Sequence, residues 1–396
     1  MRPRVLLFIT VFNSILGLSV LFPVLPPLGR TLGLSELQVG SLSTSYALMQ
    51  FLLSPTWGRR SEKVGRKPVL LLGILGFSAS FFLFSIVAHY GLSGALAPGA
   101  IYGGLLLARL FGGAFSSATL PTAQAYIADT TERDDRTAGM GLIGAAFGLG
   151  VVFGPALGAG LSRISLLTPV YFSAGFALVN ALFVWLKLPE PQRHVAHTEA
   201  RRSGALTRRL LPLLLVGFGL SLSSVAMEQT IAFYYQDRLG LTAQETARSV
   251  GLALVFYGLV AVFAQGYIVR RGGLSPIALL RIGVPVALVG FVALIFAHQY
   301  SFLTSALAIQ GLGQGLAMPG VSAAVSLAVG DSEQGAAAGL SSSSHALGRM
   351  LGPVVGTSLY QLKPEYPYWF SAGLLVVLLL GLGLLTRSFG HTSKAA

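Results

Sequence analysis

Long apolar runs separated by short polar segments dominate this sequence and restrict the folds open to it. A run of about 20 apolar residues is long enough to cross the hydrocarbon core of a bilayer as a helix. We read twelve such runs and predict an all-α polytopic membrane protein. The predicted helices cover residues 4–25, 38–57, 69–90, 99–127, 137–161, 165–188, 209–236, 245–269, 276–297, 301–328, 334–360 and 366–387.

The composition excludes a soluble globular protein. Charged residues make up 10% and hydrophobic residues 53% of the 396 residues, whereas soluble domains carry about 25% charged residues. The sequence has no cysteine, which excludes disulfides and thiolate metal sites. Arg2 and Arg4 precede a run of spanning length without a cleavage-site pattern, so we expect no cleavable signal peptide.

Positive charge is distributed unevenly between the two sides of the predicted bundle. If successive loops alternate sides, most of the 27 Lys and Arg residues fall on the side of the N-terminus. The other side receives only Arg30, Arg163, Arg238, Arg248 and Lys363, while Arg109 and Arg349 lie inside predicted helices. Because positive residues concentrate in cytoplasmic loops, we expect both termini in the cytoplasm.

An internal repeat divides the chain into two halves. The fifth predicted helix contains Gly150, Gly154, Pro155 and Gly158, and half the chain length later the eleventh contains Gly348, Gly352, Pro353 and Gly356. We therefore predict two parallel six-helix bundles, 1–188 and 209–396, joined by a cytoplasmic linker, 189–208. Transporters built from such repeats place their substrate site between the halves, near the middle of the membrane.

A polar segment between the second and third predicted helices, residues 58–68, reads GRRSEKVGRKP. We predict a tight cytoplasmic loop, for which positive charge alone would suffice as a topogenic signal. Its glycines and its acid indicate more, since glycine allows close backbone approach and Glu62 can pair with Arg66 four residues later. Asp129, after the fourth helix, is either ordinary loop charge or a third member of a cluster that closes the cytoplasmic side. The candidate gating residues are Gly58, Glu62, Lys63, Gly65, Arg66, Lys67 and Asp129.

Charged residues inside predicted spans are candidates for function, because ionised groups are costly in a bilayer. Glu228 is the one carboxylate predicted deep within a span, and Ser221 and Ser224 share its helical face. An apolar medium favours the protonated carboxyl group, so Glu228 is either a proton carrier or a permanently neutral, hydrogen-bonded core acid. Arg109 either supports the coupling or snorkels to the membrane interface.

Other polar and aromatic residues within the spans are candidates for a substrate cavity. His345 and Arg349 share one helix face, where they either contact an anionic group or a proton, or form a helix-packing pair. Taken singly, each remaining candidate fits an interhelical hydrogen bond or packing contact better than ligand binding; together they suit a large apolar cavity with scattered polar groups. They are Asn13, Tyr46, Gln50, Gln124, Gln229, Phe233, Gln310 and Gln314.

Three segments carry a resemblance to a known family. They read YALMQFLLSPTWGRRSEKVGRKPVLL, ARLFGGAFSSATLPTAQAYIADTTERDDR and GLGVVFGPALGAG. They resemble the major facilitator superfamily of secondary transporters, and within it the twelve-helix drug:proton antiporters, which include tetracycline and quinolone efflux pumps. The resemblance covers nearly the whole chain.

The resemblance implies roles for several residues. It implies that Glu62, Arg66 and Asp129 gate the cytoplasmic side and that Arg109 is associated with proton transfer. It implies coupling or cation binding at Glu228, and it assigns Gly150, Gly154, Pro155 and Gly158 to the packing motif of antiporters. The sequence departs from some relatives, because Asn13 and Ser14 occupy the region of a helix 1 acid and Gly315 that of a helix 10 acid.

The sequence thus predicts a proton-driven exporter of lipophilic, amphipathic compounds that works by alternating access. The alternative is a related exporter of a physiological solute such as a sugar, an amino acid or a lipid-linked metabolite. We predict no enzyme, since the chain has no His-Glu-x-x-His and no Gly-x-Ser-x-Gly. We expect no metal, no cofactor beyond the proton gradient and no nucleic-acid partner. We also expect a monomer in the cytoplasmic (inner) membrane of a bacterium.

Overall fold

The fold of the chain is seen in a computed structural model that describes residues 3–131, 133–191, 204–269, 271–330 and 333–392. This described part contains thirteen α-helices and no strand. The first seven are α1 (Pro3–Thr31), α2 (Glu36–Val64), α3 (Arg66–Leu92), α4 (Pro98–Ser116), α5 (Thr119–Thr130), α6 (Arg133–Leu161) and α7 (Thr168–Lys187). The others are α8 (Gly204–Leu239), α9 (Ala243–Phe263), α10 (Pro276–Phe296), α11 (Tyr300–Leu327), α12 (Gln334–Leu362) and α13 (Tyr366–Thr392).

The helices confirm the prediction of twelve spans. α4 and α5 are two parts of the predicted helix 99–127, and a π-helical segment, Ala264–Val269, continues α9. Eight helical segments within the described ranges are long and apolar enough to cross a membrane. α2, α11 and α12 have the length but are less apolar, because they carry more polar residues, among them His345 and Arg349 on α12. Residues 192–203, in the predicted linker, lie outside the described part.

The interruption between α4 and α5 follows from the sequence. Pro121 has no N–H to donate to the carbonyl of Ser117, so the helical hydrogen-bond ladder fails there. The neighbouring helix α2 supports the break from the side. Its Ser54 hydroxyl donates to the Ser117 carbonyl at 3.4 Å, and Trp57 Nε1 donates to Ala114 O at 2.7 Å.

The predicted loop over residues 58–68 is wrong in its extent. α2 continues through the basic residues to Val64, and α3 begins at Arg66, so Gly65 alone separates two helices. Gly65 has φ +120°, a conformation that favours glycine. Residues 59–64 of α2 contain neither glycine nor proline, and a basic side chain such as that of Lys63 is favourable in the last turn of a helix. The segment is therefore a sharp corner between helices.

The helices form two compact units. The first comprises Met1–Ala196 together with Tyr235–Val255, and the second comprises His197–Tyr234 together with Phe256–Ala396. The end of α8 and the first part of α9 thus belong to the first unit. The predicted division into 1–188, 189–208 and 209–396 stays a prediction.

Small residues and hydroxyl groups bring the helices together inside each unit, as is common in membrane bundles. In the first unit, Ser80 of α3 donates to Ala108 O of α4 at 2.8 Å. In the second unit, α10 and α11 approach through glycines. A Cβ added to Gly313 would lie 2.2 Å from the backbone nitrogen of Ala287, which leaves room only for glycine.

Candidate functional site

Glu228 lies on α8 within a small polar cluster of the second unit. Its Oε1 accepts a hydrogen bond from the Ser224 hydroxyl at 3.1 Å, and that hydroxyl lies 3.2 Å from the Tyr257 hydroxyl of α9. Ser224 and Tyr257 are buried, and Glu228 is half-buried. Oε2 of Glu228 has no hydrogen-bond partner among the described residues. A proton or a cationic group can therefore bind Oε2 without displacing Ser224.

His345 and Arg349 of α12 lie beside this cluster but have different surroundings. His345 is buried, with Nδ1 3.0 Å from the Ser221 hydroxyl and 3.2 Å from the Gly217 carbonyl oxygen of α8. Arg349 is exposed and interacts electrostatically with Glu228, but it forms no hydrogen bond or ion pair with any described residue. His345 thus fits the packing interpretation, whereas Arg349 does not.

Glycines of α12 fix its distance from α8. A Cβ at Gly348 would lie 2.7 Å from Phe218 O, and a Cβ at Gly352 would lie 2.8 Å from Val225 Cβ. Gly356 faces the Ala226 backbone in the same way. The face of α12 that carries His345 is therefore pressed against α8, which sets the positions of the adjoining Arg349 and Glu228.

The predicted packing motif on α6 makes the matching contact in the first unit. A Cβ at Gly154 would lie 1.9 Å from the Ser19 hydroxyl and 2.8 Å from Leu16 O of α1. Gly150 and Gly158 face the same helix. Ser19 also donates to Gly150 O at 2.8 Å, so α1 and α6 share a hydrogen bond as well as close packing.

Arg109 of α4 is enclosed in the first unit. Only 3% of the residue is exposed, which is incompatible with snorkelling to the interface. Its guanidinium carbon lies 4.2 Å from the centre of the Tyr46 ring, and its Nε donates to Leu42 O at 3.4 Å. The Tyr46 hydroxyl contacts Ser116 and accepts a hydrogen bond from Gln50 Nε2 at 3.3 Å. An aromatic ring thus accompanies this buried cation.

The corner between α2 and α3 carries the predicted ion pair between Arg66 and Asp129. Arg66 Nε lies 2.8 Å from Asp129 Oδ2, and Arg66 Nη1 donates to the Ser61 hydroxyl at 2.6 Å. The predicted pairing with Glu62 is wrong. Glu62 is exposed and has no partner in the described ranges, because Gly65 turns the chain before Arg66 and the two residues do not share a helix. Lys63, also on the α2 end, is exposed as well.

Glu190, which is not among the residues predicted from the sequence, completes this corner. Both of its carboxylate oxygens accept backbone N–H groups at the start of α3, from Arg66 and from Lys67, the latter at 2.9 Å. A carboxylate is favourable at a helix N-terminus, where N–H groups lack partners. Its position between Pro189 and Pro191, just after α7, was the available signal.

A second ionic cluster, also missed, lies where α1, α2 and α8 end or begin. Arg30 Nη2 donates to Asp237 Oδ2 at 2.9 Å and to Glu36 Oε1 at 2.8 Å. Gln236 accepts a further hydrogen bond from Arg30 at 3.2 Å. All four residues belong to the first unit. No sequence spacing indicates this cluster, because its acids lie far apart along the chain.

The remaining cavity candidates divide into buried and accessible positions. Asn13, Gln229, Phe233 and Gln310 are buried. The Phe233 ring lies 5.7 Å from that of Tyr360, and a Cβ at Gly290 would meet the Gln310 backbone at 2.6 Å. These two residues therefore contribute to helix packing. Gln124 is exposed, while Gln50 and Gln314 are half-buried.

Comparison with known proteins identifies the family. The model of the Major Facilitator Superfamily matches residues 7–307 and 279–395. The chain belongs to the Major Facilitator Superfamily. It is accordingly an integral membrane protein and a transporter of small molecules, and not an enzyme.

Similar members of the superfamily include named resistance proteins. Multidrug resistance protein 1 of Bacillus subtilis is 28% identical over 96% of this chain and 94% of its own length. Quinolone resistance protein NorA of Staphylococcus aureus is 22% identical over 94% of this chain and 95% of its own length.

A solved structure with the same fold is a bacterial homologue of the human lysosomal transporter Spinster, described as inward-facing and occupied. It has a TM-score of 0.76 and 16% identity, with 98% of each chain covered. The human organic anion transporter MFSD10 (TETRAN) has a TM-score of 0.67 and 23% identity, with 96% of this chain and 99% of that chain covered.

Proposed function

We propose that this transporter exports lipophilic, amphipathic, drug-like compounds in exchange for protons, by alternating access of its two halves. The observation that carries the proposal is the half-buried Glu228 carboxyl group, which is held by Ser224 and has one oxygen without a partner in the described part. The resistance proteins named above support the substrate class, since they are similar over nearly the whole chain.

Competition for the Glu228 carboxylate would produce the exchange. A carboxylate inside the membrane is costly unless it is protonated or paired with a cation. The carboxyl group is therefore bound either to a proton or to the cationic group of a substrate whenever access to the site changes from one side of the membrane to the other. Because both bind at the same oxygen, inward movement of a proton is coupled to outward movement of substrate. Arg109 would support this coupling from the first unit as a fixed, enclosed cation.

We propose a bacterial cytoplasmic membrane with both termini in the cytoplasm, on the basis of the uneven distribution of Lys and Arg between the two sides. On this orientation the Arg66–Asp129 pair and Glu190 lie at the cytoplasmic end, where breaking and remaking them would gate access. We propose that the protein works as a monomer and uses the proton gradient without a cofactor.

Transport into proteoliposomes tests the proposal. Purified protein would be reconstituted with an imposed pH gradient, and uptake of the fluorescent lipophilic cation ethidium would be followed. We expect gradient-driven uptake by the wild type and at least a tenfold lower rate for Glu228→Gln. Glu333→Gln is the control, since this acid directly precedes α12 and its side chain forms no capping hydrogen bond with that helix.

Two results would contradict the proposal in different ways. Uptake that survives Glu228→Gln and still needs the gradient would move the proton site to another residue. No gradient-dependent movement of ethidium, or of other lipophilic cations, would favour the physiological-solute alternative.

A further inference from the structure

The guanidinium of Arg349 lies close to the middle of the 29-residue helix α12. Its side chain is exposed, and it forms no hydrogen bond or ion pair with the described residues. An ionised group at this depth in a membrane protein faces water or a polar partner, not lipid. Arg349 therefore faces a space that a ligand can enter.

The position of Arg349 is set by its helix and not by its own contacts. One turn before it, His345 lies against Ser221 and Gly217 of α8. Close approach at Gly348 and Gly352 holds the same helix face. Arg349 is thus presented on a rigid support, which suits recognition of a ligand.

Arg349 is near an acid but does not neutralise it. The two groups interact electrostatically, yet no ion pair joins Arg349 to Glu228, whose Oε1 is bound to Ser224. If the two groups formed an ion pair, neither the guanidinium nor the carboxylate would be available to bind a ligand. Their separation instead gives the site a positive and a negative pole on neighbouring helices.

We propose that Arg349 binds a carboxylate of the substrate, so that the preferred substrates are amphipathic zwitterions whose cationic group binds Glu228. The planar guanidinium donates two parallel hydrogen bonds to a carboxylate, a geometry that a lipophilic cation alone cannot use. This inference rests on the proposed function, because it assigns the second pole of the same site.

Two dyes that differ in one group test the inference. Rhodamine 6G is a lipophilic cation with an ethyl ester, and rhodamine 19 is the corresponding free acid, a zwitterion at neutral pH. Binding of each would be measured by fluorescence anisotropy with the full-length protein in phosphatidylcholine nanodiscs, with empty nanodiscs as background. The variants are Arg349→Gln, Arg349→Lys and the control Arg248→Gln, which removes an exposed arginine outside the site.

We expect the wild type to bind the acid more tightly than the ester. Arg349→Gln should weaken binding of the acid at least tenfold and change that of the ester less than twofold. Arg349→Lys should retain part of the preference, because it keeps the charge but loses the paired hydrogen bonds. Arg248→Gln should match the wild type. Binding of the ester by every variant shows that the protein is folded.

Three outcomes would overturn the inference. Equal weakening of both dyes by Arg349→Gln would mean that Arg349 serves only as a counter-ion for Glu228. Tight binding of the ester without binding of the acid would refute the inference but leave the proposed function intact. Binding of neither dye by the wild type would refute both.

Discussion

The two halves of the chain use the same helix contact but place different chemistry beside it. In the first half, α6 packs on α1 through Gly154, and the hydroxyl in the contact belongs to Ser19, which bonds to the backbone of α6. In the second half, α12 packs on α8 through Gly352, and the adjoining side chains are Glu228, His345 and Arg349. The backbone contact is repeated, whereas the ionisable groups occur on one copy.

This difference indicates that the glycines serve helix packing and that the ionisable side chains beside them serve function. If the glycines served binding directly, the half that lacks the ionisable groups would have no reason to retain them. The first half has its own buried charge, but Arg109 lies on α4 and is covered by the Tyr46 ring. One half thus encloses its charge, and the other leaves its charges accessible.

The largest stability effect should come from adding a methyl group to the repeated contacts. Gly154→Ala and Gly352→Ala each bring a Cβ within 2.9 Å of α1 or α8, and overpacking of this kind costs about 1–3 kcal/mol. Gly148→Ala and Gly339→Ala are the controls, since nothing lies within 4 Å of their added Cβ. They should be neutral or stabilising by up to about 1 kcal/mol. Thermal unfolding in detergent measures the effect. Destabilisation in one half alone would break the equivalence of the contacts.

The ion pair at the corner between α2 and α3 should make a smaller contribution to stability. Arg66→Gln leaves the partly buried Asp129 without its cation and should cost about 1–2 kcal/mol, between the values for exposed and buried pairs. Arg271→Gln is the comparison in the second half: it removes a contact 5.1 Å from the Tyr267 ring centre and should cost about 0.5 kcal/mol. Melting temperatures test both. Adding Asp129→Asn to Arg66→Gln should recover stability, and failure to do so would argue against the pair.

Tyr46, the partner of the enclosed charge, should contribute to stability through its hydroxyl and its ring separately. Tyr46→Phe keeps the ring beside Arg109 and loses hydroxyl contacts to Ser116 and Gln50, at a cost of about 0.5–1 kcal/mol. Tyr46→Leu also removes the ring and should cost about 1 kcal/mol more. The same melting experiment compares the two variants. Equal costs for Phe and Leu would show that the ring face does not stabilise the cation.

Local sequence patterns predicted much of the fold and part of the site. Apolar runs indicated the twelve spans, and the glycine-proline repeat indicated the two similar halves. The sequence also placed Asp129 within reach of Arg66. It could not show that Gly65 turns the chain, because the helical spacing of Glu62 and Arg66 holds only on a continuous helix. The two prolines beside Glu190 marked its position, but not its contacts, because its partners are backbone N–H groups.

Contacts between residues far apart in the sequence could not be predicted for a different reason. Arg30 meets Asp237 at the junction of three helices, and Tyr257 meets Ser224 from the next helix. Such pairs depend on the rotation of each helix about its axis. That rotation is set by the glycine contacts and not by the residues that meet.

The Gly65–Glu190 contact limits which amino-acid substitutions this corner can accept during evolution. Glu190 holds the chain through amide groups that every residue except proline supplies, so substitutions at 66 and 67 leave these two bonds in place. A Cβ at Gly65 would lie 2.9 Å from Glu190 Oε1 and would need a left-handed backbone. Positions 65 and 190 are therefore expected to change together, whereas position 66 is constrained separately, by its side-chain contacts with Asp129 and Ser61.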